Sequence, residues 1–267
     1  ADGDTDDYIY IDTTSNEEYL YFEDASLAYT NDPGFRLNST SGELEYRDED
    51  ESGWTSLDSM SAIDRAKYDR VVASSGGTDT SIATAISNAS AGDSIFIAPG
   101  TYSENITIDK ELKLFGAGPG ATIISGSTGS ATVTINSDID DTEIHDLEIT
   151  NAGSANTDHG ILVSTGASND NLKFNNVEIS GGYNGIDHNN GDHLSVTNCY
   201  IHDTGNIGIL FGDSANTSPY AVIDSNKIVN VTDDAINISD DGPYSVISNN
   251  IITDWGPQWS GDSAIAL

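Results

Sequence analysis

The stretch Asn198-Cys199-Tyr200-Ile201-His202-Asp203-Thr204-Gly205-Asn206-Ile207-Gly208-Ile209 decides the fold. It opens on a polar residue, enters a short alternating run, crosses a polar turn and reaches a second apolar run through Gly208. In the first run, alternation sends Cys199 and Ile201 inward and Tyr200 outward, as on a strand with one buried face. Neither run is long enough to bury a face alone.

The same unit recurs along the chain. Aligning the first run on Ile149, Ile179, Ile201, Ile228 and Ile252 gives spacings of 30, 22, 27 and 24. Aligning the second on Ile161, Ile186, Ile209, Ile236 and Ile265 gives 25, 23, 27 and 29. Three places before each first-run Ile stand Asp146, Asn176, Asn198, Ser225 and Asn249, predicting a polar ladder whose side chains hydrogen-bond from coil to coil. Just before each second-run Ile stand Gly160, Gly185, Gly208, Ala235 and Ala264, small residues suited to a tight turn. A helical stripe of period 3.6 is absent from this half of the chain. Coils of such similar length, built from short strands, describe a solenoid. A sandwich would instead show hairpin turns about every 8–12 residues with no fixed coil length. The fold class is therefore all-β.

Upstream, Ile82, Ala85, Ile86 and Ala89 share a helical face, with Asp79 or Thr80 as N-cap and Gly92 as the stop. This predicts a short capping helix over about residues 80–90, covering the open apolar end of the first coil. Alternation in Tyr8-Ile9-Tyr10-Ile11 and Tyr19-Leu20-Tyr21-Phe22 predicts strands nearer the N-terminus. They belong to a small acidic β-rich domain, residues 1–75, ahead of the solenoid at 76–267. All four Arg (Arg36, Arg47, Arg65 and Arg70) fall in that first segment, which suits it to docking on an acidic neighbour, although pairing with local carboxylates explains them equally.

Charge sets the medium. The chain carries 44 acidic residues against 9 basic ones, a net charge of −35 spread over its length. Such a surface repels itself, and molar salt, by shortening the screening length to about 3 Å, removes most of that penalty. A hypersaline environment is expected, and nucleic acid is not, since phosphate neutralisation needs clustered Lys and Arg. No run approaches the roughly 20 apolar residues of a membrane span. No secretory-signal pattern opens the chain at Ala1, as in a processed form or one lacking an initiator Met. Cys199 is the one cysteine, so no intramolecular disulfide can form.

The run Ser81-Ile82-Ala83-Thr84-Ala85-Ile86, then Ala91-Gly92-Asp93-Ser94-Ile95-Phe96-Ile97-Ala98-Pro99-Gly100-Thr101-Tyr102, resembles the entry of the pectin-lyase-like β-helix superfamily. Glu104-Asn105-Ile106-Thr107-Ile108-Asp109-Lys110 and Leu112-Lys113-Leu114-Phe115-Gly116-Ala117-Gly118 continue the match. The resemblance covers about residues 79–267 and implies a right-handed parallel β-helix. It leaves activity open, because this architecture serves lyases, hydrolases, esterases, adhesins and viral spikes. In the first segment, Gly34-Phe35-Arg36-Leu37-Asn38, Gly42-Glu43-Leu44-Glu45-Tyr46-Arg47-Asp48 and Trp54-Thr55-Ser56-Leu57 resemble small modules near the N-termini of tailed-virus fibres and spikes.

The superfamily's chemistries need constellations that this sequence lacks. Pectate-lyase-like members rely on an Arg or Lys base beside calcium-binding carboxylates, yet Asp140–Leu267 holds no Arg and only Lys173 and Lys227. Galacturonan hydrolases carry Asn-Thr-Asp, Asp-Asp, Gly-His-Gly and Arg-x-Lys elements. Asn156-Thr157-Asp158 and Asp233-Asp234 match the first two, but three coils of about 4.8 Å separate them, more than the roughly 6.5–9.5 Å of an inverting pair. Esterase-like members need paired Asp with an Arg. No catalytic residue is therefore expected. Among the histidines, His188 aligns with Val163, Phe211 and Ile238 and reads as structural, and His193 aligns with Asn171 at a turn. The adjacent pairs Asp158-His159, Asp187-His188 and Asp192-His193 do not make compact sites, because neighbours on a strand face opposite ways. No metal site is expected, though calcium could sit at the turns holding Asp138, Asp140 and Asp141 or Asp240 and Asp241, which solvation explains equally.

Coil lengths supply a binding surface. The two aligned Ile of each coil stand 12, 7, 8, 8 and 13 positions apart, so Asn151–His159 and Asp254–Asp262 are insertions at one corner. Four coils put them about 19 Å apart. They predict a shallow groove with Asp158, His159, Trp255 and Trp259 as receptor- or ligand-binding residues; packing of the tryptophans under a cap or at a subunit contact is the competing expectation.

The leading functional expectation is a non-enzymatic virion surface protein of a halophilic virus: a tail fibre, spike or capsid decoration. It would be extracellular and homo-oligomeric, a trimer by analogy with fibres. Residues 1–75 would contact other virion proteins, and the solenoid a host surface glycan or glycoprotein, with no membrane insertion. The alternative is a secreted or cell-surface haloarchaeal polysaccharide-binding protein, or a carbohydrate-active β-helix enzyme such as a lyase or glycoside hydrolase.

Overall fold

Parallel pairing between equivalent strands, one coil to the next, builds the architecture. The computed structural model describes residues 67–267 apart from 75, 137, 166–168, 190, 213–219, 239–244, 257–262 and 267, and within residues 1–66 five strands alone. The chain divides into two units, 1–66 and 67–267. In the first, β1 (Tyr8–Asp12), β2 (Glu18–Glu23), β3 (Gly34–Leu37), β4 (Leu44–Arg47) and β5 (Thr55–Ser56) form an antiparallel sheet in chain order. The seam expected at residue 75 falls after Ala66, because Arg70–Val72 pairs with Ser94–Ile97 as part of the solenoid.

Three parallel ladders run through the second unit. The first holds β6 (Arg70–Val72), β7 (Ser94–Ile97), β10 (Lys113–Phe115), the first halves of β13 (Glu143–Asn151) and β15 (Lys173–Gly181), β17 (Ser195–Thr197), β20 (Val222–Asp224) and β23 (Val246–Ser248). The second holds β8 (Gly100–Tyr102), β11 (Thr122–Gly126), the second halves of β13 and β15, β18 (Tyr200–His202), β21 (Lys227–Val231) and β24 (Ile251–Trp255). The third holds β9 (Ile106–Ile108), β12 (Val133–Ile135), β14 (Ile161–Val163), β16 (Ile186–His188), β19 (Ile209–Phe211), β22 (Ile236–Ile238) and β25 (Ile265–Ala266). Together they make seven coils from Ser94 onward.

The register matches the alignment read from the sequence: Ile149, Ile179, Ile201, Ile228 and Ile252 pair in series, as do Ile161, Ile186, Ile209, Ile236 and Ile265. The repeat also begins two coils earlier than Thr142, since Tyr102, Ile124 and Ile149 pair in series, as do Ile106, Val133 and Ile161. Stacked inward side chains fill the bore, with Ile149, Ile179, Ile201 and Ile228 fully buried and Phe174 and Phe211 the largest.

Two sequence patterns have other causes than expected. Asp146, Asn176, Asn198, Ser225 and Asn249 all have φ between 53° and 60°, the left-handed region that Asn and Asp tolerate best. They turn the chain between the first and second ladders. Asn176 Nδ2 does donate to Asp146 Oδ1 at 2.7 Å, but the interior amide stack lies one residue later. There Asn226 Oδ1 accepts from the Cys199 amide at 2.9 Å, and Asn226 Nδ2 donates to Val196 O at 2.9 Å and Asn250 Oδ1 at 3.0 Å. Gly160, Gly185 and Gly208, for their part, do not occupy left-handed turns. A Cβ at Gly185 would lie 2.6 Å from both the Gly208 carbonyl oxygen and Ile201 Cγ2. Close approach between coils selects these glycines.

The helix α1 spans Ile82–Asn88 and buries Ile82, Ala85 and Ile86 in the core, packing against β6, β7 and β9. Its N-cap is Ser81, which accepts from Thr84 N at 3.2 Å, and its C-cap is Ala89. Neither residue expected as the cap, Asp79 or Thr80, fills that place, and Asp79 instead binds Arg70 (2.7 Å) and Asn88 (2.9 Å). Arg70 is thus locally paired. Glu104, from the first coil, accepts from the Ile82 and Ala83 amides at 3.0 Å each, holding the free N–H groups of the first turn.

Candidate functional site

Alternation along the third ladder leaves one residue per coil facing outward: Thr107, Thr134, Leu162, Asp187, Leu210, Asn237 and Ala266. Asp187 is a carboxylate where the neighbouring coils carry leucine. Because His188 falls in register with Val163 and Phe211 as an inward residue, Asp187 must face the other way.

The corner just ahead of this ladder supplies its partners. Backbone hydrogen bonds from Gly160 to Asn184 O and from Gly185 to Ile207 O put His159, Asn184 and Ile207 at equivalent places. Asn184 Nδ2 donates to Asp187 Oδ2 at 2.6 Å, and Asn189 Nδ2 donates to Oδ1 at 2.7 Å. Asn184 is itself fixed, its Oδ1 accepting from Asn206 Nδ2 at 2.9 Å and Ile207 N at 3.1 Å. His159 Nδ1 lies 3.4 Å from Asp187 Oδ2, and Tyr183 meets the imidazole edge-on at 6.1 Å. Asp187 is 7% exposed and His159 5%.

Around this pair opens a cleft of about 490 Å³, walled by Ser130, Thr134, Asn156, Thr157, Leu162 and Asn189. Two amides hold the carboxylate without using all its lone pairs. His159 Nδ1 is buried at this 3.4 Å separation without a formed hydrogen bond, so Nε2 is the ring nitrogen left for a ligand. Hydroxyls and amides from coils two to four converge on the same space, so the arrangement can bind a molecule rich in hydroxyl groups and exchange a proton at His159.

The expected site residues fare differently. Asp158 is buried, and its carboxylate accepts from the Gly129 and Ala155 amides, stapling the inserted loop to the coil beneath it. His159, next to it, lines the cleft. Trp255 ends β24 in register with Val231 and packs half-buried against the core, so it is a residue of the coil stack and not of an exposed loop wall. Trp259, Asp240 and Asp241 lie outside the described residues, as does most of the second insertion. Asp138 and Asp141 have positive φ, and Asp140 Oδ1 accepts from the Asp170 amide at 2.8 Å. Among the described residues no three His, Cys, Asp or Glu side chains gather as metal ligands. Asn184 and Asn189 escaped the sequence reading, and Asp187, weighed there only as the neighbour of His188, was not expected in a site.

The other histidines are engaged singly. His145 stacks on Phe115 at 4.9 Å and bonds Glu143 at 3.0 Å. Desolvation opposes ionisation of Glu143, but His145, Lys173 and Lys113 prevail and hold it down to about 2. His193 stacks on Tyr220 at 4.7 Å, and His202 bridges Glu178 (3.2 Å) and Asp203 (2.7 Å). His188 is fully buried beside Phe211, and burial pushes it down to about 4. Cys199 is buried too, its thiol pushed up to about 12 by desolvation.

Comparison with known proteins adds the following. The family model described as "Right handed beta helix region" matches residues 122–265, just over half the chain. No curated protein matches. Among solved structures, a pectin methylesterase variant in complex with a hexasaccharide aligns at a TM-score of 0.56 and 22% identity, covering 70% of this chain and 66% of the other. A pectin methylesterase from carrot gives 0.55 and 20%, covering 70% and 63%. The catalytic domain of a GH87 alpha-1,3-glucanase in complex with tetrasaccharides gives 0.55 and 20%, covering 67% and 33%. The chain therefore spans less than two thirds of these structures, and at such identities the likeness is one of fold. No helix among the described residues is long and apolar enough to cross a membrane.

Proposed function

The chain belongs to the right-handed β-helix family, and from that premise we propose that it binds carbohydrate in the third-ladder cleft, with Asp187 and His159 at the centre. The observation that carries this is the carboxylate fixed by Asn184 and Asn189 at the floor of a cleft lined by hydroxyl and amide groups. Carboxylates and amides held in place before binding are the groups that read sugar hydroxyls at little entropic cost. The solved structures of like fold are carbohydrate-active proteins, which supports the alternative raised from the sequence, a polysaccharide-binding or carbohydrate-active protein, better than the virion fibre. They also weigh against the expectation of a non-enzymatic role, and His159 with Asp187 is the acid–base pair this cleft would bring to catalysis.

Co-sedimentation with insoluble polysaccharides in molar KCl, followed by analysis of soluble products, tests the reading. Retention on at least one polysaccharide is expected. Asp187→Leu, which installs the residue found at Leu162 and Leu210, should abolish it, with circular dichroism showing that the fold is kept although Asn184 loses its acceptor. Retention equal to wild type in that variant would remove the cleft as the binding site.

A further inference from the structure

We infer that the ligand of this cleft is an uncharged oligosaccharide, and that Asp187 is the residue that discriminates against polyuronates; the inference rests on the carbohydrate reading above. It comes from where the positive charge of the described residues lies. Among the described residues six side chains are cationic, and each is engaged away from the cleft. Arg70 is bound to Asp79 at 2.7 Å. Lys110 donates to the Ile86 carbonyl at 2.9 Å. Lys113 and Lys173 share Glu143 at 3.6 and 3.0 Å. Lys67 lies over the Tyr68 ring at 4.8 Å, and Lys227 over Tyr200 at 4.5 Å.

Among the described residues no Lys or Arg lines the cleft, whose one carboxylate is Asp187. A sugar chain with a carboxylate on every residue would bring like charge against Asp187, with no Lys or Arg among the described residues of the lining to offset it. Asn184 and Asn189 hold the carboxylate in place by donating to both its oxygens, so it cannot swing away from such a ligand. A neutral sugar meets no such repulsion. Its hydroxyls can donate to the remaining lone pairs of Asp187 and exchange hydrogen bonds with Ser130, Thr134, Asn156 and Thr157. Exclusion of the wrong ligand by an unpaired like charge is a common source of specificity.

The test is titration calorimetry in 1 M KCl with hexasaccharides of neutral α-glucan, β-glucan and β-mannan, set against hexagalacturonate and hexamannuronate. At least one neutral hexasaccharide should bind at least tenfold more tightly than either uronate. Asp187→Asn, nearly isosteric, should narrow that ratio at least tenfold, and lowering KCl to 0.2 M in the wild type should widen it. A uronate binding more tightly than every neutral sugar, with that binding lost in Asp187→Leu, would overturn the ligand class while leaving the site standing. Saccharide binding indifferent to both Asp187 variants would overturn the site, and this inference with it. Circular dichroism on each variant separates lost binding from lost fold.

Discussion

His188 shows how much a single inward position constrains the chemistry of its coil. Its ring fills a place that Val163, Phe211 and Ile238 fill elsewhere, and neither ring nitrogen has a well-formed hydrogen bond. Burial therefore favours the neutral form and pushes the group down to about 4. The unfolded chain titrates this residue near pH 6.5. Above that value both states hold it neutral. As pH falls from 6.5 toward 4 only the unfolded chain takes up the proton, so stability declines, by on the order of 3 kcal/mol at the plateau below pH 4. His188→Phe should remove this component. Urea titrations of both proteins between pH 7.5 and 4 should show a steeper acid loss in the wild type. Parallel losses would mean that the folded protein accommodates the charged ring. The glycines beside the third ladder carry a steric version of the same constraint, because the coil spacing leaves no room for a Cβ.

At the scale of the element, the corner between the first and second ladders is a turn repeated on successive coils. Each turn puts one residue at positive φ, which costs an ordinary L-residue roughly 1–2 kcal/mol and Asn or Asp less. Four of the five places between Asp146 and Asn249 carry Asp or Asn, and Ser225 is the departure, at φ 60°. Ser225→Asn should therefore stabilise the fold, by about 0.5–1 kcal/mol. The next residue works in the opposite sense. Asn226→Leu, which copies Leu147, strands the buried Cys199 amide and should cost about 1–3 kcal/mol. Chemical denaturation of the two variants, with Cys199 reactivity toward a thiol reagent as the unfolding signal, measures both. A Ser225→Asn variant less stable than wild type would show that its hydroxyl, bonded to Asp224, matters more than the turn.

The solenoid combines an apolar bore with a highly charged exterior. Six cations among the described residues, each locally engaged, leave most carboxylates without a counter-charge. Dilution from molar KCl to about 0.1 M lengthens the screening distance from about 3 Å to about 10 Å and should lower the melting temperature markedly. A melting curve indifferent to salt would show that the carboxylates are spaced widely enough to ignore one another.

Composition, coil spacing and strand alternation were enough to determine the solenoid, its register over five coils, the alignment of His188 with Val163, Phe211 and Ile238, and the strands of β1 and β2. These are local or periodic properties, and a repeat writes its long-range contacts into sequence as a spacing. The first two coils were harder to align, because Ser94–Ile135 does not repeat the later polar turns. Only the tertiary structure decided the site. Asp187, Asn184 and Asn189 lie together on one coil with no motif to mark them, and His159 reaches Asp187 from the preceding coil, a full turn of the solenoid earlier in the chain. Only it, too, separated Asp158, spent on backbone amides, from His159, turned to the cleft. A loop's hydrogen bonds depend on which coil lies beneath it, and neither periodicity nor composition carries that contact.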